Sequence, residues 1–377
     1  MQLTQEIHEY IHSHSQEAYE LLLELSQIPA PSNHEEQRAE FCCRWLRQQG
    51  AEGVYLDDAL NVIYPVGCTE ENPLVVFMAH SDVVFPDTDP LPLSVRDGKI
   101  FCPGVGDDSA NVAALLMAAK YIAQHRLSPK DCGLLLVINS GEEGLGNLKG
   151  TRRLMETFGS RVTEFVTFDL YANQIVDRAV GSHRYRIEIQ TEGGHSYNAF
   201  GNRNAIAAMA ELIGRLYTIE VPAEGKTTYN VGTIRGGTSV NTIAQQAEML
   251  YEYRSDCRTS LAAMEQQFHG IINEFRTRDY DIRVTVVGNR PCSGDVDESH
   301  HRMLKDRAAE TVRRHYSFGP HFASGSTDCN VPLSMGIPAI CVGCMMGGGA
   351  HTREEYVEID SLRPGLAVAF ELVLHHF

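Results

Sequence analysis

The chain has 377 residues, a length that at roughly 150 residues per domain predicts two domains or one elaborate one. Hydrophobic residues make up 43% and charged residues 21%, which excludes a disordered, collagenous or low-complexity protein. Lys and Arg number 32 against 49 Asp and Glu, a net charge of −17, so nucleic acid and anionic membrane surfaces are poor candidate partners.

The spacing of the cysteines and the lengths of the apolar runs predict the cellular compartment of the protein. The ten Cys are scattered without a CxxC ladder, so neither a disulfide framework nor a zinc knuckle is indicated. The first sixteen residues are polar where a signal peptide needs an apolar core. No apolar run reaches the roughly 18 residues of a membrane-spanning helix. We therefore expect a cytoplasmic protein.

The first part of the chain alternates between helical and strand patterns. Apolar residues recur at near-helical spacing from Ile7 to Leu25, and a second helix is expected to start near Ser32 or Asn33. The next predicted elements are a strand Leu74 to Ala79, a helix Ala110 to Ala123, a strand Leu134 to Asn139, a helix near Leu148 to Phe158 and a strand Phe165 to Leu170. This alternation predicts an α/β fold with a doubly wound sheet.

Near Ala179 the pattern changes to strands with one polar face. The elements expected here are a strand through Tyr185, Ile187 and Ile189, a helix Asn204 to Leu216, strands Tyr229 to Ile234 and Ala247 to Tyr253, a helix Leu261 to Phe275 and a strand Ile282 to Val287. After Pro291 the chain resumes the alternation of helical and strand patterns seen in its first part. The elements expected here are a helix, a strand Ala339 to Gly343 and a helix Leu362 to Leu374. We therefore expect an α+β domain, residues 179–291, inserted between residues 1–178 and 292–377.

His and carboxylate residues follow several predicted strands, where ligands bind in open α/β sheets. His80 and Asp82 lie two positions apart and should face the same side, so Asp82 could orient the imidazole. Of the adjacent Glu142 and Glu143, one can bind metal while the other acts on water. Such nitrogen and oxygen donors suit zinc or a similar divalent ion. The other candidates are Asp107 at a helix start, Asp169 at a strand end and His351 in a glycine-rich loop.

Two further patterns are weaker. His8, Glu9 and His12 fit the HExxH pattern of zinc proteases, but only seven residues precede them, too few for the substrate-binding sheet of such an enzyme. Gly104 and Gly106 resemble a nucleotide fingerprint that lacks its third glycine, and the two Asp that follow would repel a pyrophosphate.

Four stretches resemble the motifs of the co-catalytic zinc aminoacylase and exopeptidase family, which includes peptidase T, glutamate carboxypeptidase, acetylornithine deacetylase and succinyl-diaminopimelate desuccinylase. They follow the family's order over almost the whole chain. The stretches are Met78-Ala-His80-Ser-Asp82, Asp97-Gly-Lys leading to Gly104-Val-Gly-Asp107-Asp108, Ser140-Gly-Glu142-Glu143-Gly and Gly349-Ala-His351.

The resemblance implies a site for two divalent ions, zinc first and cobalt or manganese as alternatives. One ion would be held by His80, Asp169 and a bridging Asp107, and the other by Asp107, Glu143 and His351. Glu142 would be the general base, with Asp82 as a further catalytic residue. One departure is Ser109, because the family usually has Lys at this position, and its loss removes a positive charge beside the metals.

The inserted domain resembles the family's lid and dimerisation domain. Gly193-Gly-His195-Ser matches the motif whose His reaches into the partner subunit's site and stabilises an oxyanion, which implies a homodimer. Asn241 and Arg254 match positions that in some members hold a substrate carboxylate, and a surface ion pair is the alternative for Arg254. Ser326 and Thr327 resemble the loop that closes on the substrate backbone.

The resemblance predicts a metal-dependent amide hydrolase. The Gly-Glu-Glu-Gly-Leu-Gly stretch at 141–146 and the length favour an exopeptidase acting on di- and tripeptides. An N-acyl amino acid deacylase is the first alternative. A non-catalytic dimeric binding protein of the same fold is the second, and the presence of the proposed ligands, of Glu142 and of His195 argues against it.

Overall fold

The structure is a computed structural model that describes residues 2–278 and 280–377, apart from the side chain of Leu145. The chain divides into two compact units, Met1–Ala179 with Gly294–Phe377 and Val180–Ser293. Both units combine helices and sheet, and the α/β fold class predicted from the sequence is confirmed. Among the described helices, none has the length and apolar character needed to cross a membrane.

The helices and strands are numbered here in chain order. The helices are α1 Gln5–Ser13, α2 Ser15–Ser26, α3 Glu36–Gln48, α4 Ala110–His125, α5 Lys149–Phe158, α6 Ala205–Leu216, α7 Arg258–Thr277, α8 Glu298–His315, α9 Asn330–Ser334 and α10 Leu362–Leu374. The strands are β1 Tyr55–Leu56, β2 Val62–Val66, β3 Leu74–His80, β4 Ser94–Arg96, β5 Lys99–Phe101, β6 Gly133–Asn139, β7 Val162–Thr167, β8 Gln174–Ala179, β9 Gly181–Gln190, β10 Gly194–His195, β11 Thr227–Gly236, β12 Thr242–Ile243, β13 Gln246–Ser255, β14 Asp281–Arg290, β15 His321–Gly325, β16 Ala339–Val342, β17 Gly347–Gly348 and β18 Tyr356–Glu358.

The larger unit is built on a sheet of order β1-β2-β6-β3-β7-β16-β8-β15. Its central strand β3 is parallel to β6 and β7, and β7 is parallel to β16. All seven residues of β3 are buried, as a continuous apolar run predicts for a strand covered on both faces. Phe77 belongs to the core that includes α4 and α10, whereas Met78 belongs to a second core that includes α5. Helices therefore cover both faces of the sheet.

Helix α4 shows why the sequence places a helix directly against this sheet. Every residue from Ala110 to Ile122 is buried, and most of them are apolar, which is typical of a core helix. Many of its residues are alanines, and their small side chains allow close packing against β3 and α10. The helix ends at His125, and the next residue, Arg126, caps it with a left-handed φ of 49°.

Two element boundaries differ from the expected ones for local reasons. Helix α3 begins at Glu36 rather than near Ser32, because the chain first makes a turn in which the His34 amide donates to the Pro31 carbonyl oxygen. Strand β7 ends at Thr167, earlier than its apolar run suggests, although Phe168 stays in the core and its amide donates to the Met78 carbonyl oxygen of β3 at 2.7 Å. Leu170, the last residue of that run, has a left-handed φ of 66° that a strand does not accommodate.

The smaller unit contains an antiparallel sheet of order β11-β13-β9-β14. Alternate residues of β9, Tyr185, Ile187 and Ile189, are buried with residues of α6 and α7, and the residues between them are more exposed. This pattern is the alternation from which the sequence predicted strands with one polar face.

Candidate metal centre

The ends of parallel strands bring the candidate residues of the larger unit together. His80 is the last residue of β3 and is paired in register with Asn139, the last residue of β6. The turn that follows β6 carries Glu142 and Glu143, and Asp169 lies two residues after β7. Because these strands are parallel, their carboxyl ends share one edge of the sheet.

His80 forms one half of the cluster. Its Nε2 lies 3.0 Å from Asp107 Oδ1 and 3.7 Å from Asp169 Oδ1. On the other side of the ring, Nδ1 lies 3.1 Å from the backbone carbonyl oxygen of Asp82. A proton on Nδ1 would be donated to that carbonyl and would leave the Nε2 lone pair available to a metal.

His351 forms the other half. It comes from the loop between β17 and β18, and its Nε2 lies 2.8 Å from Glu143 Oε1 and 3.1 Å from Asp107 Oδ2. Asp107 therefore presents one carboxylate oxygen to His80 and the other to His351. A carboxylate in this position could be a ligand of an ion on either side.

The donor set fits divalent metal ions. Two ligands that bind one ion at about 2.1 Å in tetrahedral geometry lie roughly 3.4 Å apart, close to the separations of 2.8 to 3.7 Å found here. Nitrogen and carboxylate oxygen donors suit zinc and its neighbours. Two triads each have donor atoms within 4.8 Å of one another: His80, Asp107 and Glu143, and His80, Asp108 and Asp169.

The electrostatic potential of the cluster is strongly negative. Hydrogen bonds to Asp107 and Glu143 raise the pKa of His351 to about 11. Burial alone would lower the pKa of His80, but Asp108 and the other carboxylates outweigh burial and raise this pKa well above its usual value. A potential that favours a proton on both imidazoles also favours a metal cation in the same place.

The Asp82 carboxylate holds the turn that carries the two glutamates. Oδ1 accepts from the Glu142 amide at 2.9 Å, and Oδ2 accepts from the Glu143 amide at 2.9 Å. Oδ2 also accepts from the Ser32 hydroxyl at 2.6 Å. Asp82 Oδ1 lies 3.5 Å from His80 Nδ1, farther than the carbonyl oxygen of Asp82 itself. The carboxylate therefore fixes the turn more directly than the imidazole.

A comparison with protein families decides the wider relationship. The chain matches peptidase family M20/M25/M40 over residues 76–375, a stretch that includes all of the candidate metal-binding residues. The chain belongs to this family. It is therefore a metallohydrolase, as the sequence predicted, with a candidate dinuclear metal site.

The sequence relatives of this M20/M25/M40 family member include succinyl-diaminopimelate desuccinylases. A succinyl-diaminopimelate desuccinylase from Nitrosomonas eutropha is 28% identical over 223 residues, which are 54% of this chain and 58% of the relative. The chain thus spans little more than half the length of that relative.

Solved structures share the fold of this M20/M25/M40 family member. The aminopeptidase PepT from Bacillus cereus has a TM-score of 0.68 and 22% identity, covering 95% of this chain and 99% of that chain. A tripeptidase from Staphylococcus aureus has a TM-score of 0.73 and 23% identity, covering 95% of this chain and 97% of that chain.

Several residues that support the site of this M20/M25/M40 family member were missed as candidates in the sequence. The Asp108 carboxylate accepts from the His80 backbone amide at 2.9 Å and from the Asn111 side chain at 2.6 Å, so both of its oxygens have donors within the protein. The buried Glu355 carboxylate accepts from the backbone amides of Gly104, Gly106 and Asp107 at 2.7 to 2.8 Å. His80 is 28 positions from Asp108, and the three amides are about 250 positions from Glu355, so these contacts cannot be found from local sequence. The only local signals are the places of Asp108 directly after Asp107 and of Glu355 shortly after His351.

Ser326 and Thr327 lie in the turn before α9, next to the buried Asp328. The Asp328 carboxylate accepts from the side chain of Asn139 at 2.8 Å and from the Thr151 hydroxyl. Desolvation raises the pKa of Asp328 to about 6. These contacts connect the turn to the end of β6.

The remaining predicted residues belong to the smaller unit. His195 of β10 is paired with Thr242 of β12, and the Ser196 amide donates to the Asn241 carbonyl oxygen at 3.0 Å, so His195 and Asn241 are neighbours. Arg254 of β13 donates twice to the carboxylate of Glu252, each time at 3.0 Å. This ion pair is the alternative expected for Arg254, and it occupies the fork that would bind a substrate carboxylate.

Proposed function

We propose that this chain is an exopeptidase that removes residues from di- and tripeptides at a dinuclear metal centre. The observation that carries the proposal is the position of Asp107 between two imidazoles, next to a pair of glutamates whose backbone is fixed by Asp82. The similarity to the Staphylococcus aureus tripeptidase supports short peptides as the substrate class.

The proposed ligands follow from the separations in the cluster. His80, Asp169 and Asp107 would hold one ion, and Asp107, Glu143 and His351 the other. We propose zinc as the native metal, because imidazole and carboxylate donors suit it, with cobalt or manganese as alternatives.

The residues around the proposed metal centre would have different roles in the reaction. Two bound divalent ions would lower the pKa of a water molecule and polarise the scissile carbonyl. Glu142 would take the proton from that water and return it to the leaving nitrogen. Asp82 would keep Glu142 in place through its amide, and His195 would donate a hydrogen bond to the oxyanion.

The smaller unit and the cell compartment complete the proposal. We assign residues 179–291 as a lid and dimerisation domain and the rest of the chain as the catalytic domain, so that His195 serves the site of a partner subunit in a homodimer. Asn241, Arg254, Ser326 and Thr327 would bind the substrate backbone and its carboxylate, which requires Arg254 to exchange Glu252 for the substrate. All ten cysteines are free thiols, which supports a cytoplasmic location.

N-acyl amino acid deacylation is the second candidate, favoured by the identity with a desuccinylase. The purified protein should be assayed against di- and tripeptides and against N-acetyl and N-succinyl amino acids, after chelation and after return of zinc, cobalt or manganese. Metal-restored cleavage of peptides supports the proposal, and metal-restored cleavage of acyl amino acids alone would replace it with the deacylase. Two bound metal equivalents without cleavage of any substrate would contradict both.

A further inference from the structure

Arg38 of α3 is a buried cation close to the metal centre. Its side chain is only 1% exposed, and it is among the largest fully buried side chains among the described residues. Nε and Nη2 donate to the Ile28 carbonyl oxygen at 3.1 and 2.7 Å, and Nη1 donates to the Ser81 carbonyl oxygen at 2.9 Å and to the Ser109 hydroxyl at 3.3 Å.

None of these acceptors is charged. Within residues 2–278 and 280–377, Arg38 forms no ion pair with a carboxylate inside 4.0 Å, although burying an unpaired guanidinium is costly. The ionisable groups that interact electrostatically with Arg38 are Cys42, Cys102, Asp82 and Asp108. Burial raises the pKa of Cys42 to about 12 and that of Cys102 to about 11, so both thiols are neutral at physiological pH. The carboxylates in this set are those of Asp82 and Asp108, which lie in the two segments that supply the proposed ligands.

We propose that Arg38 is a positioning residue of the metal centre, which ties together the two segments that supply its ligands and places a permanent positive charge behind them. Ser81 lies between His80 and Asp82, and Ser109 directly follows Asp107 and Asp108. A single Nη1 contacts both serines. The proposal rests on the ligand assignment made above.

Ser109 is held on both sides by hydrogen bonds, one of them from Arg38. Its hydroxyl donates to the Gly104 carbonyl oxygen at 2.7 Å and accepts from Arg38, so both functions of the hydroxyl are used. A lysine at position 109 would bring a second cation against the guanidinium in a buried space. Arg38 therefore supplies the positive charge that the sequence lacks at position 109, from a different element of the fold.

The test is a cobalt titration of the metal-free protein, because the visible absorption of Co²⁺ reports its coordination geometry independently of hydrolysis. The variants are R38M, R38K and S109K. The matched control is R47M, on the same helix, since Arg47 also donates to a backbone carbonyl oxygen, that of Val54, but is exposed. Wild type should bind two Co²⁺ ions.

We expect R38M to bind Co²⁺ about 10 to 100 times more weakly, the range found when outer-shell partners of metal ligands are removed, with an altered absorption spectrum. R38K should retain part of the affinity, and S109K should bind more weakly than wild type because it removes the Ser109 hydroxyl that Arg38 contacts. R47M should match wild type.

Unchanged affinities and an unchanged spectrum in R38M would overturn the inference. If R38M does not fold, R38K and S109K provide the test, because both variants keep a positive charge at the site. Co²⁺ titrations of both variants that match wild type would overturn the inference. Wild type that binds no Co²⁺ would instead overturn the ligand assignment, and this inference with it.

Discussion

Glu142 and Glu143 are adjacent residues for which the site predicts opposite consequences of substitution. Glu143 contacts His351 directly, whereas Glu142 is assigned to proton transfer. Because a glutamine cannot accept the proton, Glu142→Gln should lower kcat by about 10²- to 10⁴-fold, the usual contribution of a general base. The variant should still bind two metal equivalents, measured by calorimetric titration and by metal analysis of the purified protein.

Glu143→Gln provides the contrast for this prediction. It removes a negatively charged ligand and should reduce metal content or affinity. If Glu142→Gln lost metal and Glu143→Gln kept it, the two roles would have to be exchanged. Near-normal turnover by metal-loaded Glu142→Gln would remove Glu142 from the mechanism.

At the scale of single residues, the sequence could identify side chains near the metals but not their supports. His80 and His351 are found because their chemistry and local motifs identify them. The actual partners of Asp82, the amides of Glu142 and Glu143, are about sixty positions away, and only the pairing of β3 with β6 brings them near. Arg38 has no local signal, because an arginine on a helix is usually an exposed residue.

The turn between β5 and α4 is the element that presents Asp107, and Glu355 holds it. Gly104 in this turn has a φ of 77°, a conformation that favours glycine. The carboxylate of Glu355 accepts three backbone amides, including that of Asp107. Glu355→Gln replaces one of the two accepting oxygens with an NH2 group. At least one of the three backbone amides should then lose its hydrogen-bond acceptor, at a cost of about 1–3 kcal/mol.

We therefore expect Glu355→Gln to lower the free energy of unfolding of the metal-free protein by that amount and to weaken metal binding. Urea unfolding monitored by circular dichroism and a metal titration measure the two effects. Glu354→Gln is the matched control, because Glu354 is the residue next to Glu355 and its side chain is exposed. Equal stability of both variants would show that Glu355 does not hold the turn.

At the scale of elements, long patterns were predictable and short ones were not. Strands β3 and β6 and helix α10 were predicted nearly to the residue, because each is a long apolar run buried by its neighbours. The single helix expected from Ile7 to Leu25 is two helices, α1 and α2, since the chain breaks at His14 without a Pro or Gly to signal it. Strands of two or three residues, such as β17, are too short to show a period.

For the molecule as a whole, bound metal should contribute directly to stability. Without metal, the buried carboxylates of the centre repel one another in a chain that already carries a net charge of −17. Metal at 100 times its Kd should stabilise the folded state by about 2.7 kcal/mol per site. Chelation should lower Tm, and zinc should restore it in melts recorded at constant ionic strength. Recovery of Tm by sodium chloride alone would indicate general screening rather than binding at the site.

Assembly of the whole enzyme provides the last prediction. If His195 serves the site of a partner subunit, Glu142→Ala and His195→Ala homodimers should each be inactive. A heterodimer of the two would combine an intact Glu142 in one chain with an intact His195 from the other, and so contain one complete site. Random exchange of subunits should then recover about a quarter of wild-type activity, because half of the dimers are mixed and each has one working site of two. The mixture should be unfolded and refolded together, with each variant refolded alone as the control. Exchange demonstrated by differently tagged chains, without recovery of activity, would show that His195 does not act on the site of its partner.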